Sequence, residues 1–325
     1  MDFAGADSEQ DRRIVAAAVS VPVGILPDRA AAEAGRLNAP GRKTKLKPAK
    51  AARGQDLIGA ALIGMLAFTL TMPHAAASPG GEADATETSL ALKLRNPIAD
   101  LITVPIESDF EFGSGSRDAL TYTLNVQPVI PFELTKDWLL VTRTIVPFIY
   151  QEGVAAGEQT KTGIGDITQS FFLSPSSLMG GWIVGAGPVF QYPSATDSAM
   201  GAGKWGAGPT AALVRQAGGT TFGVLANHIW SFAGDSRRGR ANMTLVDPFI
   251  SYTWTNDFMV EFDGESTFDW EQKQWTVPLT AGVSQLVTFG EQPVSFGLAG
   301  RWYAEHAADG PEWGVVFTVT LLFPR

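Results

Sequence analysis

With 325 residues, a net charge of −9 and a mean hydropathy of +0.06, the chain is long enough for one large all-β domain or two soluble ones. No apolar run reaches the eighteen residues expected of a helix that crosses a membrane. The absence of cysteine excludes a disulfide framework, a thiolate metal site and a lipid-modified N-terminal cysteine, and the acidic balance argues against nucleic acid as a partner.

The chain begins with an Ala-rich stretch of mixed charge over residues 1–40, longer than a signal peptide requires and readable as a start site placed too far upstream. A basic region follows (Arg42, Lys43, Lys45, Lys47, Lys50, Arg53), then an apolar segment over residues 57–72, then Pro73-His74-Ala75-Ala76-Ala77-Ser78. Basic flank, short apolar core and Ala-x-Ala exit together predict a secretory signal peptide within residues 1–77, cleaved after Ala77. Residues 78–100 read as a flexible leader or short helix. Leu90, Leu92, Leu94, Ile98 and Leu101 fall near helical spacing around Asn96-Pro97, which fits a helix docked in a lumen, a helix lying on a membrane, or an unattached linker.

From Leu101 onward the hydrophobic period is two. Ile102, Val104, Ile106, Phe110 and Phe112 alternate with Glu107, Asp109 and Glu111; Tyr122 and Leu124 alternate with Thr123 and Asn125. Similar two-faced segments follow over residues 138–151, 164–173, 181–192, 204–216, 220–232, 246–254, 258–269, 274–287 and 294–305. The last runs Trp313, Val315, Phe317, Val319, Leu321, Phe323 on one face and Gly314, Val316, Thr318, Thr320, Leu322 on the other. Short connectors alternate with mostly longer ones, the link near Trp270–Gln272 being the exception.

This predicts an all-β protein: a single antiparallel transmembrane β-barrel of about 12 strands over residues 101–325, in the outer membrane, with short turns periplasmic and long loops outside. Prolines 128, 147, 188, 209, 248 and 278 fall inside strands and call for bulges or bends. A charge on the lipid face costs about 2–4 kcal/mol for a basic residue near the midplane. Glu107, Asp109, Glu111, Arg143, Asp247, Glu261, Asp263, Glu265 and Arg301 are therefore the lumen-lining candidates. They either pair with one another as interior filling or line a conduit biased toward cations and neutral polar solutes. Trp313, Phe317 and Phe323 are the candidate assembly signal, although Pro324-Arg325 follow Phe323 where such signals end on an aromatic residue.

Several blocks belong together: Asn96-Pro97-Ile98-Ala99-Asp100-Leu101, Asn125-Val126-Gln127-Pro128-Val129-Ile130-Pro131, Ser170-Phe171-Phe172, Lys204-Trp205-Gly206-Ala207-Gly208-Pro209-Thr210, Ala226-Asn227-His228-Ile229-Trp230-Ser231 and Gln274-Trp275-Thr276-Val277-Pro278. As a set they resemble a bacterial family of outer-membrane transporters, similar to proteins encoded with phenol meta-cleavage pathways and sometimes given a neuropeptide-like name. The resemblance spans about residues 90–325. It implies a barrel that passes small molecules, including small aromatic compounds, and it carries no assigned functional residues.

The implied partners are outer-membrane lipid, the barrel-assembly machinery and a small-molecule solute; no nucleic acid, cofactor, metal or catalytic residue is expected. Gly201-Ala202-Gly203-Lys204-Trp205-Gly206 has the spacing of a dinucleotide fingerprint, but a strand-like segment follows instead of a helix. Asp166, Asp247, Asp263 or Asp269 with His228 or His306 offers the elements of a hydrolase without a nucleophile–base arrangement. A structural or plugged barrel is the alternative to a channel, and a membrane-embedded hydrolase is a third reading.

Overall fold

A computed structural model describes residues 90–324 apart from residue 156, so the predicted signal peptide and most of the leader lie outside the described residues. Alternating side chains from residue 102 onward give fifteen strands in one antiparallel sheet. They are β1 (Ile102–Ser114), β2 (Ala119–Val126), β3 (Val129–Thr135), β4 (Trp138–Gln151), β5 (Lys161–Ile164), β6 (Ile167–Pro175), β7 (Ile183–Tyr192) and β8 (Lys204–Ala217). The order continues with β9 (Thr220–Gly234), β10 (Asn242–Thr253), β11 (Phe258–Asp263), β12 (Ser266–Asp269), β13 (Gln274–Phe289), β14 (Gln292–Glu305) and β15 (Trp313–Phe323).

Three pairs of strands share one position each. β2 and β3 both lie between β1 and β4, β5 and β6 both pair with β4, and β11 and β12 both lie between β10 and β13. The result is a closed barrel of 12 strands, sealed where β15 pairs with β1 from Phe323 opposite Ile102 to Trp313 opposite Phe112.

The interruptions account for the strand prolines. A proline has no amide hydrogen for the ladder. Pro128 sits in the gap between β2 and β3, and Pro278 adjoins a register shift in β13. Pro147 and Pro248 stand opposite the breaks in their partners, where their carbonyls accept from Gly165 and Gly264. Pro188 and Pro209 face each other directly. In an antiparallel pair, opposed residues either exchange both amide bonds or turn both amides away, and only the second is open to two prolines.

Connections at one end are short: residues 136–137, 218–219, 254–257 and 290–291, with 176–182 longer. β3 extends to Thr135, which leaves residues 136–137 as its turn. At the other end they span residues 115–118, 152–160, 193–203, 235–241, 270–273 and 306–312. One of the two-residue turns is Gly218-Gly219, with φ of 57° and 85° at successive positions, a backbone that suits a tight hairpin and strongly favours glycine.

Burial splits each strand into two faces. On β15, Val316, Thr320 and Leu322 are 6%, 7% and 0% exposed, whereas Trp313, Phe317 and Phe323 are 42%, 44% and 40% exposed. The outer face carries Phe110, Phe148, Leu213, Ile250, Phe262 and Leu298 around its middle, all exposed. All nine tryptophans stand in two rings outside the barrel wall. Trp138, Trp182 and Trp254 sit at the tight-turn end; Trp205, Trp230, Trp270, Trp275, Trp302 and Trp313 sit at the other. So wide an apolar belt bounded by aromatic rings has the form of a surface solvated by lipid.

The segment ahead of β1 enters the barrel. Residues 90–94 are helical, and the helix stops at Asn96-Pro97, where Asn96 Oδ1 accepts from Ile98 N at 3.1 Å. Leu90, Ala91, Ala99 and Leu101 pack with Leu286 and Leu322, while Ile98 packs into a cluster with Val141, Phe172, Val189 and Leu225. Leu92 and Leu94 are only partly buried, so the buried set departs from the helical spacing expected from sequence once the chain extends after Asn96. Room for Ile98 depends on Gly185, where a Cβ would lie 2.9 Å from Ile98 Cδ1.

Candidate functional site

Glutamates and aspartates at alternate positions on β1, β10 and β11 face the barrel interior because the other face is apolar and exposed. A cavity of about 230 Å3 opens at mid-height, lined by Glu107, Arg143, Asp247, Glu261, Asp263, Glu265 and Arg301, with Arg95 from the entering segment. Its remaining lining is mild: Thr280, Ser284, Ser295, Thr318 and Thr320, with Val129, Leu225, Phe249 and Met259 on the apolar side. The interior is thus divided, with acidic side chains toward β1 and β10–β11 and aliphatic packing toward β6–β9.

Asp109 and Glu111 lie beside this cavity, 4% and 2% exposed, and belong to a cluster organised by Arg301. Arg301 Nη1 is 2.9 Å from Asp109 Oδ1 and 3.4 Å from Glu111 Oε1, and its Nη2 is 3.6 Å from Glu107 Oε1. Tyr303 donates to Glu111 Oε1 at 2.5 Å, and Asn125 Nδ2 donates to Asp109 Oδ2 at 3.1 Å. Gln127 links two members, donating to Glu107 at 3.3 Å and accepting from Arg143 at 2.7 Å. Asp247 Oδ1 is out of solvent contact and has no hydrogen-bond partner.

Arg95 makes the second cluster. Its guanidinium lies 3.4 Å from both Glu261 Oε2 and Asp263 Oδ2 and 5.3 Å from the centre of the Phe249 ring. Sequence reasoning placed no charge partner in the leader. The available clue was a lone arginine next to Asn96-Pro97, immediately before an acidic barrel. Tyr303 was not singled out either, although it stands two residues from Arg301 and so shares its inward face.

The long-connection end holds a third arrangement. Asp166, between β5 and β6, accepts from Ala195 N at 3.1 Å, Ala202 N at 2.6 Å and Gln191 Nε2 at 3.1 Å. These bonds draw the connection over residues 193–203 inward, leaving Met200 and Ala202 0% exposed. Asp166 is therefore occupied in holding a loop. Asp166→Ala is expected to release that loop and make Lys204 accessible to trypsin in intact barrels; unchanged cleavage resistance would show that other contacts hold it.

Gly201 packs against the Asp166 carboxylate and Lys204 begins β8, so the glycine-rich stretch opens a strand and lacks the helix of a dinucleotide site. His228 faces outward in the aromatic ring, its Nδ1 2.7 Å from Thr244 Oγ1, which also accepts from Trp270 Nε1 at 2.8 Å. His306 contacts the Ala307 carbonyl, and Asp247 and Asp263 lie in the cavity. The four aspartates and two histidines are thus not gathered into one group.

In the connection over residues 235–241, Arg237 forms a paired contact with Asp235, at 3.1 Å and 3.0 Å. The Arg237 side chain, then its backbone amide, holds the Asp235 carboxyl down to about 2. The sign follows: the contact is fully formed above the ordinary aspartate pKa of about 3.9 and is lost as the pH falls through the lowered value. A carboxyl titration followed by NMR checks this, and a midpoint at the ordinary value would contradict it.

The sequence matches no protein-family model and no curated protein. Among solved structures, the barrel is similar to an outer membrane channel from Pseudomonas putida F1, at 15% identity and a TM-score of 0.56, over 70% of this chain and 98% of that one. Further matches are a NanC porin (12% identity, TM-score 0.43, 68% and 100% of the two chains) and the CymD monoaromatic hydrocarbon channel (8% identity, TM-score 0.42, 78% and 95%). The likeness is one of fold.

Proposed function

We propose that the protein is an outer-membrane channel for small polar solutes, held closed in this structure by residues 90–101. The observation that carries this reading is the mid-barrel cavity, walled by five carboxylates and three arginines inside an apolar, tryptophan-ringed exterior. Interior filling alone needs balanced pairs. Here acids outnumber bases, and Asp247 Oδ1 is left without a partner. The fold shared with the Pseudomonas putida channel agrees with passage of solute. An acidic wall favours cations and polar molecules over hydrocarbons; the small aromatic compounds implied by the family resemblance find less chemistry here to receive them.

In this reading, residues 1–77 carry the export signal, residues 78–100 form the leader that supplies the plug, and the long connections face outward from the cell. Planar bilayers give the test. Steps of current from the protein after removal of residues 90–101 from the lumen support a channel, whereas a silent barrel in every variant supports a structural role. Localisation is read from membrane fractionation and heat-modifiable migration in detergent.

Trp313, Phe317 and Phe323, exposed on the outer face of the closing strand, are proposed to be read by the barrel-assembly machinery. Phe323→Ala is expected to lower the yield of assembled barrel several-fold with little change in the stability of what does assemble. Normal yield would remove Phe323 from that role.

A further inference from the structure

Arg95 is an organic cation sitting in a cavity, and its surroundings describe what that cavity accepts. The guanidinium is 3.4 Å from one oxygen each of Glu261 and Asp263 and 5.3 Å from the Phe249 ring centre. Two carboxylates and an aromatic face are what a planar cation requires once it leaves water: charge neutralisation, hydrogen-bond acceptors and a negative ring face. The acidic residues alone would be a solvated patch. A cavity with a ring on one wall and a guanidinium already seated is a built site.

The occupant is attached only through its own segment. Arg95 belongs to residues 90–101, which enter from outside the sheet and pack on the wall through Ile98 and Leu101 without adding a strand. When that segment leaves, Glu261 and Asp263 lose the cation that neutralises them, while Asp247, lining the same cavity, already has a carboxylate oxygen with no partner.

We propose that the cradle of Glu261, Asp263 and Phe249 is the solute-binding site of the lumen, selective for small guanidinium or ammonium compounds, and that Arg95 is its tethered occupant. The inference rests on the channel reading and names the solute class for it. Arg95 and the solute compete, so withdrawal of the segment empties the site and opens the path in one step.

The test uses methylguanidinium and its uncharged counterpart methylurea on the reconstituted protein and on Arg95→Ala. The Arg95→Ala channel should be cation-selective in a potassium chloride gradient and blocked by methylguanidinium at concentrations where methylurea has no effect. Adding Glu261→Gln and Asp263→Asn to Arg95→Ala should weaken that block by roughly tenfold or more. Phe249→Leu keeps the carboxylates and serves as a second variant if the neutralised barrel does not assemble; it should weaken block by several-fold. Equal block by the two compounds, or block that survives both sets of changes, overturns the site but leaves a conducting channel intact. If no variant conducts, including the barrel freed of residues 90–101, the channel reading fails, and calorimetry in detergent decides the site alone: heat of binding for methylguanidinium with Arg95→Ala supports it, and none overturns it.

Discussion

Arg301→Met is expected to cost the barrel about 3–5 kcal/mol, because it removes one partner from a buried ionic cluster and strands the others. The Arg301 side chain is 14% exposed and faces Glu107, Asp109 and Glu111 within 3.6 Å. Methionine restores much of the volume and none of the charge. The remaining donors, Tyr303 to Glu111, Asn125 to Asp109 and Gln127 to Glu107, are uncharged and cannot neutralise three carboxylates. The expected readout is a large drop in the temperature at which the folded form converts to unfolded mobility in detergent. Lysine at 301 should recover part of the loss, since it keeps the charge but not the forked geometry. Combining Arg301→Met with Asp109→Asn and Glu111→Gln should recover more. If Arg301→Met alone melts like the parent, the carboxylates are stabilised by something other than this arginine.

Ile98→Asp should have the larger functional effect. Ile98 is 2% exposed and fits beside Gly185 among Val141, Phe172 and Val189. Its removal forfeits burial worth about 1.5–3 kcal/mol, and the new carboxylate adds a desolvation cost in an apolar pocket. Even ~2 kcal/mol shifts the equilibrium between inserted and withdrawn segment by roughly thirtyfold. The barrel ladder does not run through Ile98, so heat-modifiable migration should persist while open-channel current and protease access to residues 90–101 rise. A variant that melts early without conducting more would mean that the segment is part of the barrel's stability and not a removable plug. Gly185→Val tests the same packing from the wall, since any side chain there collides with Ile98.

Much of the barrel was legible because a half-buried strand displays its faces directly. Phe110 against Asp109 and Glu111, or Phe317 against Val316 and Thr318, states which side is lipid-like without reference to any partner. The breaks were less legible. Pro128 and Pro147 look alike in sequence, yet one ends a strand and the other faces a break in its neighbour, a difference set by register between strands. The alternation also pointed Glu261 and Asp263 inward but not to Arg95, about 170 residues earlier in the chain, because no period connects a helix end to a strand across a lumen. For the same reason residues 90–101 could be read as a linker, a surface helix or a plug: their spacing describes an apolar face and leaves its partner unspecified.

The two rings of tryptophan carry one more consequence. From Trp313 to Phe323 on β15, ten steps at about 3.3 Å with a strand tilt near 40° span about 25 Å along the barrel axis. With every indole on the outside wall, ultraviolet emission from this protein reports the depth and hydration of the surrounding bilayer and is largely blind to what enters the pore. The molecule carries its own gauge of membrane thickness, so an optical probe of solute or plug must be installed inside, where Tyr303 is the aromatic phenol already bound to Glu111.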